Sequence, residues 1–265
     1  MGETEEGEVT EQVIADLAAV LKMDLAAYKR PQLVRRLFGF ARARGIDSLA
    51  ELARRLRQDA AMGERLRHHL TIHVTSFFRD PAYWQALKTA VTQESPRAHW
   101  EVWSAAASTG AEPLSLAWLF YELGLPSQVL ATDVDESVLQ HARTGVWRED
   151  DLEGVPSFVR HQLFEPLPDG RLRVREAFSA AIEYRRLDLL KDPYPNRRFH
   201  LIACRNVLIY FREADRLRVV QRLVDCLDDQ GLLFLGSTEV LLNPGMFGLA
   251  TVFPSIYRKT KGVSG

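Results

Sequence analysis

Residues 102–117 read VWSAAASTGAEPLSLA, and residues 128–135 read QVLATDVD. The first stretch closes an apolar strand, His99 to Ala105 (HWEVWSA), and runs through a series of small residues, Ser104 to Pro113 (SAAASTGAEP). It then enters a helix, Leu114 to Leu123, ended by Gly124. Small residues let a ligand approach the backbone, and the free N–H groups of a helix start favour an anionic or polar group. The second stretch is a strand, Gln128 to Thr132, that ends on Asp133 and Asp135. Asp133 follows Gly110 by 23 residues. A carboxylate about 20 residues beyond a glycine turn, at the end of the next strand, suits a ribose diol. With only one glycine and no GxGxxG, a nucleoside without pyrophosphate fits better than a dinucleotide, and S-adenosylmethionine meets that description. The competing reading makes both aspartates simple helix caps.

Outward from this unit the alternation continues. Glu136 to Thr144 reads as a helix, Phe199 to Cys204 (FHLIAC) as a strand and Arg212 to Leu227 as a long amphipathic helix. Gly231 to Gly236 (GLLFLG) and Pro254 to Lys259 read as the closing strands. Such alternation predicts a mostly parallel sheet with helices on both faces, and a ligand at the carboxyl ends of its strands. Between about 155 and 186 the pattern breaks: Pro168-Asp169-Gly170 is a turn between the strand-like stretches LFEPL and RLRVRE.

Upstream, the chain reads as helices. Val13, Leu17, Val20 and Leu21 recur at helical spacing between Thr10 and Met23. Arg30 to Arg44 (RPQLVRRLFGFARAR) carries Leu33, Leu37, Phe40 and Ala41 on one stripe, with Arg35, Arg36, Arg42 and Arg44 mostly off it. Ser48 with Glu51 forms a capping box for a third helix, and a fourth runs from about Ala60 to Ile72. Residues 29–72 hold eleven Lys and Arg against four acids, whereas residues 1–28 hold seven acids and one lysine. An arginine-rich face of this kind is either a solvated surface or a dock for an acidic partner.

The chain has 34 Lys and Arg against 35 Asp and Glu, so its net charge of −1 does not mark a nucleic-acid binder. Cys204 and Cys226 form no CxxC, and the seven histidines form no ligand grouping, which leaves neither a disulfide framework nor a metal site. The start of the chain lacks the basic and apolar regions of a signal peptide, and no apolar run approaches the ~18 residues needed to span a bilayer. A cytoplasmic globular protein is expected.

Three further stretches, TIHVTSFFRD (71–80), VWSAAASTGAEPLSLA (102–117) and LIACRNVLIYF (201–211), together and in this order resemble the chemotaxis receptor methyltransferase family, CheR. Residues 24–45 resemble that family's N-terminal helical domain, and GLLFLGSTE (231–239) and SIYRK (255–259) its last strands. The resemblance implies a small all-α domain over 1–78, a linker helix over 79–98, and a Rossmann-like methyltransferase domain over 99–265 with a small antiparallel β insertion at about 155–186. It implies S-adenosylmethionine as cofactor and no metal. The partners it implies are receptor signalling domains, with neither nucleic acid nor membrane insertion, and the protein a monomer. Thr75 and Arg79 are then the cofactor or reaction-centre contacts of the TxFFR stretch, and Glu112 binds the cofactor's methionine part. Gly110 belongs to the same loop, Asp133 holds the ribose, and Asp188 with Leu189 lies near the adenine. Asn206 and Val207 line the cofactor site, and Tyr210 faces the methyl centre. Arg205 supports that loop. Two positions depart from the family pattern: His73 stands where Asn is common, and Ala111 replaces the first acid of GEEP. Arg36 and Arg42, then Arg35 and Arg44, are the implied receptor-docking residues. The short turn at Pro168–Gly170 favours a version that does not depend on a receptor's C-terminal tail.

A carboxylate acceptor is already ionised at pH 7, which fits a chain with no His–Asp pair to act as a base. Rival readings are a methyltransferase for another signalling protein and a cofactor-binding scaffold without turnover. A nucleic-acid methyltransferase would need an Asn/Asp-Pro-Pro-Tyr loop, and CRNVLIY has no Pro-Pro.

Overall fold

Thr10 accepts the amide of Val13 on its hydroxyl at 3.3 Å, and helix α1 (Glu11–Leu21) starts there. Pro31 opens α2 (Arg30–Arg42), and Ser48 caps α3 (Leu49–Leu56) by accepting the Glu51 amide at 3.2 Å. Helix α4 covers Ala60–Leu70. Leu17, Leu37, Phe40, Ala41, Leu52 and Leu66 are the centre of the core these helices share. The stripe expected on α2 is buried throughout. On α1 the seam is Ile14, Leu17 and Leu21, with Val13 and Val20 only partly covered, so the helix is turned slightly from the expected face.

The computed structural model describes residues 10–70, 75–94 and 97–260. Residues 10–70 form one compact unit with Tyr210–Arg216, and residues 75–209 form a second with 217–260. The late segment joins the first unit by backbone bonds: the Lys29 amide donates to the Tyr210 carbonyl at 2.9 Å, and the Arg212 amide to the Ala27 carbonyl at 2.7 Å. Tyr28 and Phe211 meet edge to face at 5.6 Å. Phe77 packs in the second unit's core, as do Trp84, Leu87 and Val91 of α5 (Pro81–Thr92).

In the second unit, β1 (Trp100–Ala105), α6 (Ala111–Glu122), β2 (Ser127–Asp133) and α7 (Glu136–Thr144) follow the expected alternation. Then come β3 (Val146–Trp147), α8 (Ser157–Leu163), β4 (Phe164–Pro166), β5 (Leu172–Val174), α9 (Glu176–Ser179) and β6 (Ile182–Arg186). The chain closes with β7 (Phe199–Cys204), α10 (Glu213–Cys226), β8 (Leu227–Leu235), β9 (Leu249–Phe253) and β10 (Ile256–Lys259). The main sheet runs β6-β2-β1-β7-β8-β10-β9, parallel from β6 to β8, with β10 antiparallel to both its neighbours. Register is fixed by residues buried on both faces: Val102 lies opposite Val129 on one side and Leu201 on the other.

The turn at Pro168–Gly170 does join an antiparallel pair, β4 and β5. The small sheet also recruits Val146–Trp147, upstream of the expected insertion. At the other end, Ile182–Arg186 leaves the insertion and pairs with β2 as an edge of the main sheet, Ile182 opposite Val129. Both edges, β6 and β9, escaped the sequence reading: β6 (IEYRR) has a single aliphatic residue, and β9 (LATVF) shows no apolar–polar alternation and buries only Leu249 fully.

Candidate active site

The strand order reverses at β1. From β1 the chain builds outward through β2 to β6, then returns to place β7 on the other side. In a parallel sheet this switch point opens a crevice at the carboxyl ends of the strands. The loops that meet there are Ala106–Gly110 after β1, Asp133–Asp135 after β2, Leu187–Leu190 after β6, and Arg205–Ile209 after β7.

Glu112 sits in the first turn of α6, where the helix dipole favours a carboxylate. It is buried, and Ser104 at the end of β1 donates its hydroxyl to Glu112 Oε1 at 2.7 Å. Arg205, also buried, reaches Glu112 Oε2 with Nη1 at 3.7 Å. Its Nη2 donates to the Arg79 carbonyl at 2.7 Å and to Asp80 Oδ2 at 3.2 Å. The guanidinium rests 4.5 Å from the ring centre of Phe234. The Arg79 carbonyl takes a second bond, from Trp84 Nε1 at 2.9 Å, and the neighbouring Phe78 amide donates to Ser115 Oγ at 3.1 Å. The backbone that carries Arg79 is thus held on both sides, with its own side chain half-buried. Thr75 is half-buried in the same segment, and His73 lies outside the described residues.

The two aspartates after β2 divide their roles. Asp135 caps α7, accepting the Ser137 amide at 2.9 Å. Asp133 turns back toward the first loop: Oδ2 accepts the Ser108 amide at 2.9 Å, and Oδ1 accepts the Asp135 amide at 3.0 Å. A carboxylate at the end of the second strand, tied to the loop after the first, is placed to suit a ribose diol. The Asp133 carbonyl accepts the Leu187 amide at 2.9 Å, which brings Asp188 and Leu189 alongside. Asp188 is buried and accepts the Leu190 amide at 2.8 Å. Gly110 has φ of 100°, and a Cβ there would lie 3.0 Å from the Ala142 side chain, so both conformation and space require glycine. Ala106 and Ser108 in the same loop hold φ of 78° and 50°. Such strain costs on the order of 1–3 kcal/mol per residue and persists only where the surroundings impose it.

After β7, Asn206 takes φ of 60°, and its amide donates to Glu239 Oε2 at 2.7 Å. Val207 follows, half-buried. Glu239 and Gly236, at the end of β8, belong to this loop system and were not among the expected site residues. Their only signal in the sequence is an acid and a glycine just past an apolar strand, in GLLFLGSTE. Tyr210 belongs to the first unit, where its carbonyl binds Lys29.

Burial pushes the Glu112, Asp188 and Glu239 carboxyls up from the ordinary range. Arg205 and Ser104 pull Glu112 back, and backbone amides pull back the other two. Burial pulls Arg205 down, against the opposing pull of Glu112 and Asp80. Glu112, paired with Arg205 at the start of α6, is placed to meet the ammonium of a methionine-like ligand.

On the helical unit, Arg30, Arg54, Arg55, Arg57, Arg65 and Arg67 pair with carboxylates of that unit. Arg36 is half-buried and donates Nε to the His69 carbonyl at 3.1 Å, while His69 Nε2 meets the Arg36 carbonyl at 3.1 Å, so it clamps α2 to α4. Arg35, Arg42 and Arg44 are exposed; Arg44 stacks 3.6 Å above Phe40, and Arg42 lies 5.7 Å from Phe38.

Residues 73–253 match the family described as "CheR methyltransferase, SAM binding domain", and residues 10–71 match "CheR methyltransferase, all-alpha domain". A chemotaxis protein methyltransferase of Listeria monocytogenes is 36% identical over 91% of this chain and 93% of its own. That of Salmonella typhimurium is 34% identical over 83% and 79%, and that of Escherichia coli 33% over 81% and 78%.

Removing the guanidinium at the centre of these loops leaves buried acids without their counter-charge, which costs about 3–5 kcal/mol. Arg205→Met is therefore expected to lower the unfolding free energy of the second unit by that amount, read as a lower urea midpoint at unchanged m-value. All five tryptophans lie in this unit, so their fluorescence reads it alone. An unchanged midpoint would mean that the loops hold together without Arg205.

Proposed function

The chain belongs to the CheR methyltransferase family, whose members carry out S-adenosylmethionine-dependent methylation in chemotaxis, and from that premise we propose that it methylates glutamate side chains of chemotaxis receptors, giving glutamate methyl esters. What supports the reading is the pair of loops at the switch point: Asp133 at the end of β2 accepts the Ser108 amide of the loop after β1, and buried Glu112 lies in the first turn of the helix that follows that loop.

S-adenosylmethionine supplies the methyl group as an electrophilic carbon on a sulfonium. The chain's own residues bind and align. Asp133 accepts the ribose hydroxyls, Glu112 takes the ammonium of the methionine part, and Asp188 with Leu189 borders the adenine. Gly110 lets the loop close on the ligand, and Asn206, Val207 and Thr75 complete the pocket. No side chain has to remove a proton, because the glutamate acceptor is ionised at pH 7. Opposite charges meet and cancel on the way to the transition state, so excluding water favours the reaction. What remains is alignment. Arg79 grips the substrate carboxylate through two parallel hydrogen bonds. Its backbone is anchored through its own carbonyl by Arg205 and Trp84, so the guanidinium extends from a fixed base.

The helical unit supplies the dock. Arg35, Arg42 and Arg44 meet acidic faces of receptor helices, and Arg36 acts by keeping α2 and α4 together. Among the described residues no helix is long and apolar enough to cross a membrane. The reading places the enzyme in the cytoplasm, where it meets the receptors' signalling domains.

The test is methyl transfer from labelled S-adenosylmethionine to purified receptor signalling domains, scored as methanol released by mild alkali. Carboxyl methyl esters hydrolyse there and N-methyl groups do not. Base-labile label on receptors is expected; label that survives alkali, or that appears only on another signalling protein, contradicts the reading. Arg79→Ala is expected to reduce turnover on the order of a hundredfold while S-adenosylhomocysteine affinity changes far less. Near-normal turnover would remove Arg79 from the reaction. Arg35→Glu with Arg42→Glu is expected to weaken receptor methylation roughly tenfold at low salt, with cofactor affinity unchanged. Equal methylation by the double variant would place the dock elsewhere.

A further inference from the structure

Glu239 is 2% exposed and carries no ion pair within hydrogen-bond distance among the described residues. Its carboxylate is instead filled by backbone amides from two loops. Oε2 accepts Asn206 N at 2.7 Å and Gly236 N at 2.8 Å, and Oε1 accepts Ile209 N at 3.2 Å, with the Leu208 amide close enough to favour the charge. Burying a carboxylate is costly unless such bonds compensate it, and here they bind the carboxyl end of β7 to that of β8. The neighbouring glycine makes room for this: a Cβ on Gly236 would lie 2.5 Å from Glu239 Oε2 and 2.9 Å from Asn206 N. Asn206 stands in the left-handed region, φ 60°, which asparagine tolerates better than other non-glycine residues and which aims its amide at Glu239.

We infer that Glu239 is a positioning residue for methyl transfer, which rests on the proposed function: it locks the Asn206–Val207 edge of the cofactor pocket and the start of the turn at Leu208 in their working conformation. It does so through amide hydrogen bonds and without touching the ligand. Glutamine cannot replace it, because each carboxylate oxygen accepts from at least one N–H and the amide would turn an NH₂ toward one of them. A longer-range electrostatic role is shared with Glu112, whose ionisation Glu239 also opposes.

The experiment compares the full-length wild type, Glu239→Gln and Gly236→Ala by calorimetric titration with S-adenosylhomocysteine, by kinetics with varied S-adenosylmethionine, and by amide NMR. In Glu239→Gln the Asn206, Gly236 and Ile209 amide resonances move, and the dissociation constant for S-adenosylhomocysteine rises tenfold or more, since a hydrogen bond to a charged group is worth about that factor. KM for S-adenosylmethionine rises more than kcat falls. Gly236→Ala, which keeps the charge but forces Glu239 aside, gives the same pattern and stands in if Glu239→Gln does not fold. Glu239→Asp recovers part of the affinity. Variants that fold, show the altered amides and yet bind S-adenosylhomocysteine as tightly as wild type overturn the inference while leaving the proposed function intact. A wild type that does not bind S-adenosylhomocysteine overturns the proposed function itself.

Discussion

Arg205 is the group on which the second unit's crevice depends. A single guanidinium, buried against Phe234, donates to the Arg79 carbonyl and Asp80 and pairs with Glu112. Its bonds join three sequence-distant pieces: the segment before α5, the first turn of α6, and the loop after β7. Planar, multi-donor geometry suits arginine to this task, and lysine could satisfy only part of it. The surrounding carboxylates are tolerable in the interior because this cation and a set of backbone amides compensate them. That dependence runs both ways, since Arg205 is itself pulled toward neutrality by burial and kept charged by Glu112 and Asp80.

A second constraint is the backbone. Ala106, Ser108, Gly110 and Asn206 all have positive φ, and all lie in loops at the carboxyl ends of β1 and β7. Left-handed non-glycine residues in one crevice imply that its conformation is imposed by partners. Those partners are visible: Asp133 holds Ser108, and Glu239 holds Asn206. The site is thus preorganised by side chains that bond to backbone, which is how an enzyme that relies on alignment more than on acid–base chemistry is expected to be built.

How much of this was legible in the sequence follows from what each residue does. The helical stripe of α2, the strands β1, β2 and β7, and the turn at Pro168–Gly170 were readable because periodicity and turn chemistry are local. Asp133 was readable because strand-end acids stand out, and the structure separates it from Asp135, the true helix cap. The edge strands β6 and β9 were not, since their pairing is set by neighbours and not by their own apolar content. Glu239 was hidden for a similar reason: its function is a set of bonds to Asn206 and Ile209, distant in sequence, and nothing in GSTE announces them. Arg36 looked like a surface charge, and only its contact with His69 shows it to be a clamp.

The proposed seat of S-adenosylmethionine, with its ribose on Asp133 and its ammonium toward Glu112, is open to test by a crystal structure of the protein with S-adenosylhomocysteine. Both ribose hydroxyls are expected within hydrogen-bond distance of the Asp133 carboxylate, with Ser108 still bonded to it. A ligand seated elsewhere, such as the cavity between Arg143, Arg173 and Tyr184, or one whose ribose makes no contact with Asp133, would contradict it.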